Sequence, residues 1–423
     1  MKGVFNVSTL KVPVKLWIEW EDHFEYPNGD LEFVYGIEES ARSQIVRLAC
    51  LPFAFHHVAI MPDCHTGYGM PIGGVLATEG VVIPNAVGVD IGCGMCAVKT
   101  SLKVDQLDKG TLERIVGKIR EVIPVGFEHH KEDQPESFMP EYGGLTGIKD
   151  GVVIKEYKSA LRQLGTLGGG NHFIEIQKDT NNNIWIMIHS GSRNLGFKVA
   201  EHYNLLAYNL NKRWHSNTYL PTNPKDSLAF LPIESQEAKD YMTEMRYCVD
   251  FALANRKLMM DRIIQILVHE NLFYQNFNGL QDTRNSFINI AHNYAQWENH
   301  FGKNVIVHRK GATLAREGTM GIIPGSQGSR SYIVKGRGNK DSFESCSHGA
   351  GRKMGRNEAC KKLDLATEQK ILDDQGIIHG LCDVDNLDEA TGAYKDIDEV
   401  MKNQEDLVEI VETLHPLAVI KGG

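Results

Sequence analysis

The sequence predicts an α+β protein with its chemistry on the loops of a β-rich scaffold, and three observations predict it. Short β-rich runs broken by glycine turns recur at 58–98, 160–200 and 304–334. One apolar-striped stretch, 235–272, reads as a single long helix. Chemistry-capable side chains cluster in the glycine-rich β segments, while the long helix carries almost none.

In chain order, HHVAIM, GGVLAT, GVVI and MCAVKT read as strands with tight connections. Residues 105–124 have helical spacing, with Leu107, Leu112, Ile115, Val116 and Ile119 on one face. The polar segment that follows, within 125–150, is too long for a simple connection and suits a lid or insertion. FIEI and IWIMIHS are strand-like. The long helix takes its apolar positions from Met242, Met245, Val249, Phe251, Leu253, Leu258, Ile263, Ile264 and Leu267. Strand patterns return in NVIVH, GIIPGSQGS and SYIVKG, and the last forty residues read as an acidic, partly helical tail ending in LAVIKGG. No repeat and no Pro- or Ser-rich linker marks a domain boundary.

The chain has 423 residues, 42% hydrophobic and 23% charged, which excludes a disordered protein. No run of about 18 apolar residues suggests a membrane span, and the N-terminal segment has no secretory apolar core. Eight cysteines without dense short spacings do not make a disulfide scaffold, so a reduced cytoplasm is the expected location. The net charge is −9, but 303–362 holds thirteen Lys and Arg against four acids, a local +9 that leaves −18 elsewhere. A basic block in an acidic chain suits a focused anion site or, equally, a solvated face.

Pro62-Asp63-Cys64-His65 and Gly88-Val89-Asp90-Ile91-Gly92-Cys93-Gly94 supply carboxylate, thiolate and imidazole ligand types. Asp63 and Cys64 read equally as a turn acid and a buried thiol. Cys93 and Cys96 form a CxxC, but MCAVKT looks like a strand rather than the helix a redox motif requires. Gly168-Gly169-Gly170-Asn171-His172 allows close backbone approach to a phosphate, without the Gly-Lys-Ser/Thr of a Walker motif. His189 ends an apolar strand before Ser190-Gly191-Ser192-Arg193, and His292 lies in INIAHNY. Each histidine alone is more often structural. Together, Asp90, Cys93, His172, His189 and His292 suit a two-ion site for manganese or zinc, with the thiolate able to bridge. In the basic block, Ser326, Ser329, Arg330 and Ser331, then Ser347-His348-Gly349 with Arg352 and Lys353, offer hydroxyls and guanidinium groups for phosphates, and His348 is placed to act as a nucleophile. These residues point to a metal-dependent enzyme acting on nucleotide or RNA phosphates.

MPDCHTGYGMPIGG, VGVDIGCGM, GTLGGGNHFIE, HSGSRNLG, AHNY, RKGATLAREG, GIIPGSQGSRSYIV, SCSHGAGRKMGR, AYKDIDEV and VIKGG, in this order over about 56–423, closely resemble the RtcB family of RNA-splicing ligases. The resemblance implies one large catalytic domain over 1–423, with mixed sheets around a central dinuclear metal site. It also implies a GTP- and Mn²⁺-dependent ligase that joins an RNA 3′-phosphate or 2′,3′-cyclic phosphate to a 5′-hydroxyl, in tRNA splicing or RNA repair. Carried over residue by residue, it makes His348 the acceptor of GMP and Asp90, Cys93, His172, His189 and His292 the ligands of two manganese ions. Asn171 and Arg193 would hold phosphates; Phe173, Glu175, Ser326, Ser331, Arg352, Tyr394 and Lys421 would complete the nucleotide site. RNA is the implied partner, with an archease-type activator and no membrane. Attack requires neutral His348, so activity is expected to fall below about pH 6.5. Cys64 and Cys96 match no role and read as packed thiols. The competing readings are a two-metal phosphoesterase that opens RNA cyclic phosphates without ligation, and a non-catalytic RNA-binding protein.

Overall fold

Two antiparallel-dominated sheets organise the fold, in a computed structural model that describes residues 10–18, 37–141, 143–270, 272 and 286–422, with the backbone of three short N-terminal strands. The six-stranded sheet runs in the order Gly3–Phe5, Val14–Leu16, Ala54–His65, Ile72–Thr78, Lys303–Lys310, Asn293–His300, with one parallel pairing, between Val14–Leu16 and Ala54–His65. The seven-stranded sheet is antiparallel throughout: Ile288–Ala291, Gly94–Lys103, Asn183–Ser190, Phe173–Asp179, Val408–Lys421, Ser331–Gly336, Met320–Ile323. The α+β class follows directly from these sheets and the helices packed on them.

The strand Asn183–Ser190 shows why the centre is stable. Ile184, Ile186 and Ile188 face one way and pack on Met259, Met260, Ile263, Ile264 and Leu267 of the helix Gln236–His269. Trp185 and Met187 face the other way, against Met95, Ile322 and Ile333. The two-residue period of a strand therefore puts His189 on the side away from the helix. That helix starts where Ser235 accepts a hydrogen bond from the Ala238 amide, 3.2 Å away, as an N-cap.

Several elements differ from the sequence reading. The helix expected at 105–124 spans Lys109–Val122: Asp108 caps it by accepting from the Thr111 amide at 2.7 Å, and Leu107 packs just ahead of it. The long helix ends at His269 rather than 272, and residue 271 lies outside the described residues. Helices Val152–Gln163 and Arg193–Trp214 overlap the two ends of 160–200, where strands and turns were expected, and extend over residues given no element in the sequence reading. The largest departure is the tail. Val408–Lys421 is a fourteen-residue strand in the interior of the seven-stranded sheet, and its ladder sets Lys421 opposite Phe173. Segment 125–150 has only short 3₁₀ turns among its described residues.

Candidate metal centre and nucleotide cavity

Strand register assembles the centre. In the ladders, Ser190 lies opposite Gly94 and His189 opposite Phe173, so Cys93 and His172, each one residue beyond a paired end, converge on His189. His292, the residue between the strands Ile288–Ala291 and Asn293–His300, donates its backbone N–H to the Cys93 carbonyl at 2.8 Å. Cys93 Sγ is 3.4 Å from His172 Nε2 and 3.3 Å from His189 Nε2. Ligand bonds of about 2.3 Å to sulfur and about 2.0–2.1 Å to nitrogen, at a tetrahedral angle, separate the donors by about 3.5 Å. Asp90 Oδ2 is 3.2 Å from His172 Nε2. The His292 ring lies 5.2 Å from that of His189, and its buried Nδ1 has no hydrogen-bond partner. Cys93, His172 and His189 thus present donors at separations that suit a cation, with Asp90 beside His172 and His292 beside His189.

The imidazoles are presented as ligands. His172 Nδ1 faces the Leu167 carbonyl at 3.0 Å and His189 Nδ1 faces the Asn171 carbonyl at 3.0 Å, which places the protons there and leaves each Nε2 free. Burial holds His189 and His292 well below the ordinary histidine value, so both are neutral. Burial resists ionisation of Asp90, but the adjoining His172 ring and the charge of Arg193 hold the carboxyl below its usual range. Burial, reinforced by Asp90, pushes the Cys93 thiol well above its ordinary value, so a cation is what would hold it as thiolate.

Beneath the centre, fully buried Arg256 donates to the carbonyls of Ser190 (2.7 Å), Gly92 (3.0 Å) and Ile290 (3.2 Å) and to Asn289 Oδ1 (2.8 Å). Asn255 accepts from the Gly165 amide at 2.7 Å. The long helix, expected to be bland, therefore fixes the loops that carry the ligands. Glu298, His300 and Glu344 also lie at metal-binding separations, but Arg309 pairs with Glu298 and Arg316 with Glu344, so this group is an ion network.

Beside the metal-capable cluster opens a cavity of about 320 Å³. His348 and His189 line it, together with Asn171, Phe173, Glu175, Ser326, Arg352, Tyr394 and Lys421. The His348 ring is 4.8 Å from that of His292. Its Nδ1 donates to Asp63 Oδ2 at 2.6 Å, and its backbone N–H donates to the same oxygen at 3.0 Å. This leaves Nε2 to the cavity. Asp63, fully buried within the strand Ala54–His65, is not a turn acid; it orients His348.

Glu389 was not singled out in the sequence. It gathers Arg352 (3.2 Å), Arg356 (2.9 Å), Lys421 (3.1 Å) and the Tyr394 hydroxyl around one buried carboxylate. Burial opposes its ionisation, but Lys421 and Arg356 hold it below its usual range. Two expected site residues stand behind the cavity wall. Ser331 accepts from the Gly325 amide and Gln177, both at 3.2 Å. Arg193 donates to Thr166 Oγ1 (3.2 Å) and the Gly126 carbonyl (3.3 Å), close behind His172. Gly168, at φ +95°, makes that approach possible, because a side chain there would overlap the Arg193 guanidinium. Of the basic block, Arg352 and Arg356 line the cavity, whereas Arg309, Arg316, Arg330 and Lys362 pair with acids elsewhere. Cys64 and Cys96 are buried and burial raises both thiols to about 12, as packed thiols require.

A thiol–imidazole–carboxylate cluster beside a carboxylate-held histidine, in a cavity rimmed by cations, defines a metal-capable centre next to an anion-suited cavity. The family model described as tRNA-splicing ligase RtcB matches residues 44–422, and the chain belongs to the RtcB family. Escherichia coli (strain K12) RNA-splicing ligase RtcB is 37% identical over 434 residues, covering 98% of this chain and 99% of the relative. The tRNA-splicing ligase RtcB of Methanococcus maripaludis is 32% identical, covering 91% and 92% respectively. The corresponding protein of Nanoarchaeum equitans is 31% identical, again covering 91% and 92%. No helix among the described residues is long and apolar enough to cross a membrane.

Proposed function

We propose that the protein is a GTP- and Mn²⁺-dependent RNA ligase that joins 3′-phosphate or 2′,3′-cyclic phosphate ends to 5′-hydroxyl ends. His348 Nε2 attacks the α-phosphorus of GTP, forming a phosphoramidate as pyrophosphate leaves. GMP then passes from His348 to the RNA 3′-phosphate, and the 5′-hydroxyl attacks that phosphate and expels GMP. A cyclic phosphate is first opened by water. The observation that carries this reading is the Asp63–His348 pair: the carboxylate fixes the proton on Nδ1 and turns the unprotonated nitrogen into a cavity beside His292.

Divalent cations held by Asp90, Cys93, His172, His189 and His292 would supply positive charge against the phosphoryl oxygens. The thiol among these donors suits an ion softer than magnesium. Arg352, Arg356 and Lys421, gathered by Glu389, present cations to the triphosphate. Phe173 and Tyr394 offer ring faces, and Glu175, Ser326 and Asn171 offer polar contacts to the guanine nucleotide. The reading places the protein in tRNA splicing or RNA repair in the cytoplasm, with RNA as its partner and an archease-type protein as its activator.

Incubation with Mn²⁺ and α-labelled GTP should give acid-labile, alkali-stable label on the wild-type protein and none on His348→Ala. Label on the His348→Ala protein would remove His348 as nucleophile. Cyclic-phosphate opening without any label would favour the phosphoesterase.

A further inference from the structure

Phe127 is fully solvent-exposed, far more so than any other large apolar side chain among the described residues. It is not on a loose end. The Gly126 amide donates to the Gly168 carbonyl at 2.9 Å, the Glu128 amide to the Val125 carbonyl at 3.1 Å, and the His130 amide to the Arg162 carbonyl at 2.9 Å. Val125 also bridges Gly168. An aromatic ring is thus held out in water by a backbone pinned on both sides.

Its place ties it to the site. The neighbouring Gly126 carbonyl accepts from Arg193 Nη2 at 3.3 Å, and Arg193 Nη1 lies 3.5 Å from His172 Nδ1. Gly126 also lies against the Gly422 carbonyl, at the end of the strand that carries Lys421. One helical turn beyond Arg193, a second exposed ring, Phe197, lies under Lys198. Phe127 therefore stands beside the Arg193 side of the metal-capable centre, and neither ring is among the residues that line the cavity.

We infer that Phe127 is a stacking platform for a nucleobase of the RNA end being joined. The inference rests on the RNA-joining reading above and adds a subsite to it. Every base offers a π-face, so an aromatic platform grips single-stranded RNA without reading its sequence. Glu128, Glu132 and Asp133 outnumber Lys131 in the same loop, so this contact works through the ring rather than through charge.

Steady-state ligation with a 3′-phosphate RNA and a 5′-hydroxyl RNA tests it, beside histidine labelling by GTP without RNA. Phe127→Ala should raise the KM for RNA about tenfold, equally at low and high salt, with labelling by GTP unchanged. Phe127→Trp should restore the wild-type KM and Phe127→Leu should not, because stacking requires a ring. An unchanged KM in Phe127→Ala, rescue by leucine as complete as by tryptophan, or a loss confined to stimulation by an added protein activator would each overturn the platform. Absence of label on the wild-type protein would instead count against the histidine reading, so the two failures are distinguishable.

Discussion

Asp63→Asn isolates what the buried carboxylate does for His348. One oxygen, Oδ2, accepts both the ring Nδ1–H at 2.6 Å and the His348 backbone N–H at 3.0 Å. The backbone donor cannot turn round, so an amide at position 63 must keep its oxygen there and its NH2 on the other side. The histidine tautomer is then preserved, and what is lost is charge assistance to a ring that becomes positive as it is phosphorylated. A charge-assisted bond contributes about 1.5–3 kcal/mol and a neutral one about 0.5–1.5 kcal/mol, so the loss is roughly 1–1.5 kcal/mol, about a tenfold slower labelling. Had the amide turned its NH2 to the ring, the proton would move to Nε2 and the loss would approach the roughly 10⁴-fold seen for the equivalent change in a serine-protease triad. Asp63→Ala removes both acceptors and frees the ring, and should cost roughly a hundredfold or more. Single-turnover labelling with α-labelled GTP, on variants whose circular dichroism and metal content match wild type, measures this. An Asp63→Asn rate within twofold of wild type, or one 10⁴-fold lower, refutes the argument.

Three further outcomes follow from particular contacts. Cys93→Ala removes the sulfur that both halves of the donor set face, so bound metal measured by elemental analysis should fall to one ion per chain or fewer; two retained ions would place the thiol outside the centre. Gly351, at φ +73°, has no room for a Cβ against the Asp63 backbone, so Gly351→Ala should displace Asp63 and slow labelling through His348 more than it lowers Tm. Burial pushes the Glu175 carboxyl up to about 8 from 4.5, against the opposing pull of Lys421 and Gln177. The stability this contributes is fully present below about pH 4.5 and is lost as pH rises through about 8. Glu175→Gln should therefore lose less Tm than wild type between about pH 6 and about pH 9, as differential scanning fluorimetry would show; identical slopes would contradict the shift.

The separate pieces of this site were legible where local pattern carries them, and illegible where only tertiary contact does. Alternation in IWIMIHS and the glycines around Asp90 and Cys93 were readable, and those elements bring the five ligand-type residues together. Asp63 was not readable as the partner of His348, because 285 residues separate them and a lone Asp has no period to betray it. Glu389 gathers cations from 352, 356 and 421, and no spacing announces that. The terminal strand was misread because most of its first half is polar or exposed, with Glu409 and Glu412, and a proline follows at 416, whereas the buried positions, Val408, Leu414, Pro416 and 418–420, keep no clean alternation. The helix Arg193–Trp214 carries a readable stripe at Leu195, Val199 and Tyr203 that the glycine-rich motif before it masked.

The placement of His292 couples the metal to the fold. It is the single residue between an edge strand of the seven-stranded sheet, Ile288–Ala291, and the first strand of the hairpin that edges the six-stranded one. Asp90 and Cys93 lead into the seven-stranded sheet, and Asp63, in the six-stranded one, holds His348. A cation held by Cys93, His189 and His292 would therefore bind the native junction and not the unfolded chain, and at a hundred times its Kd it would contribute about 2.7 kcal/mol. Dialysis against a chelator should lower Tm by several degrees, and added Mn²⁺ should restore it. In His292→Ala the junction loses its ligand, so the response to Mn²⁺ should shrink while that of a distant surface variant stays wild-type. A His292→Ala protein whose Tm answers Mn²⁺ as fully as wild type would mean that the ions bind one sheet alone, and the coupling argued from this connection would be wrong.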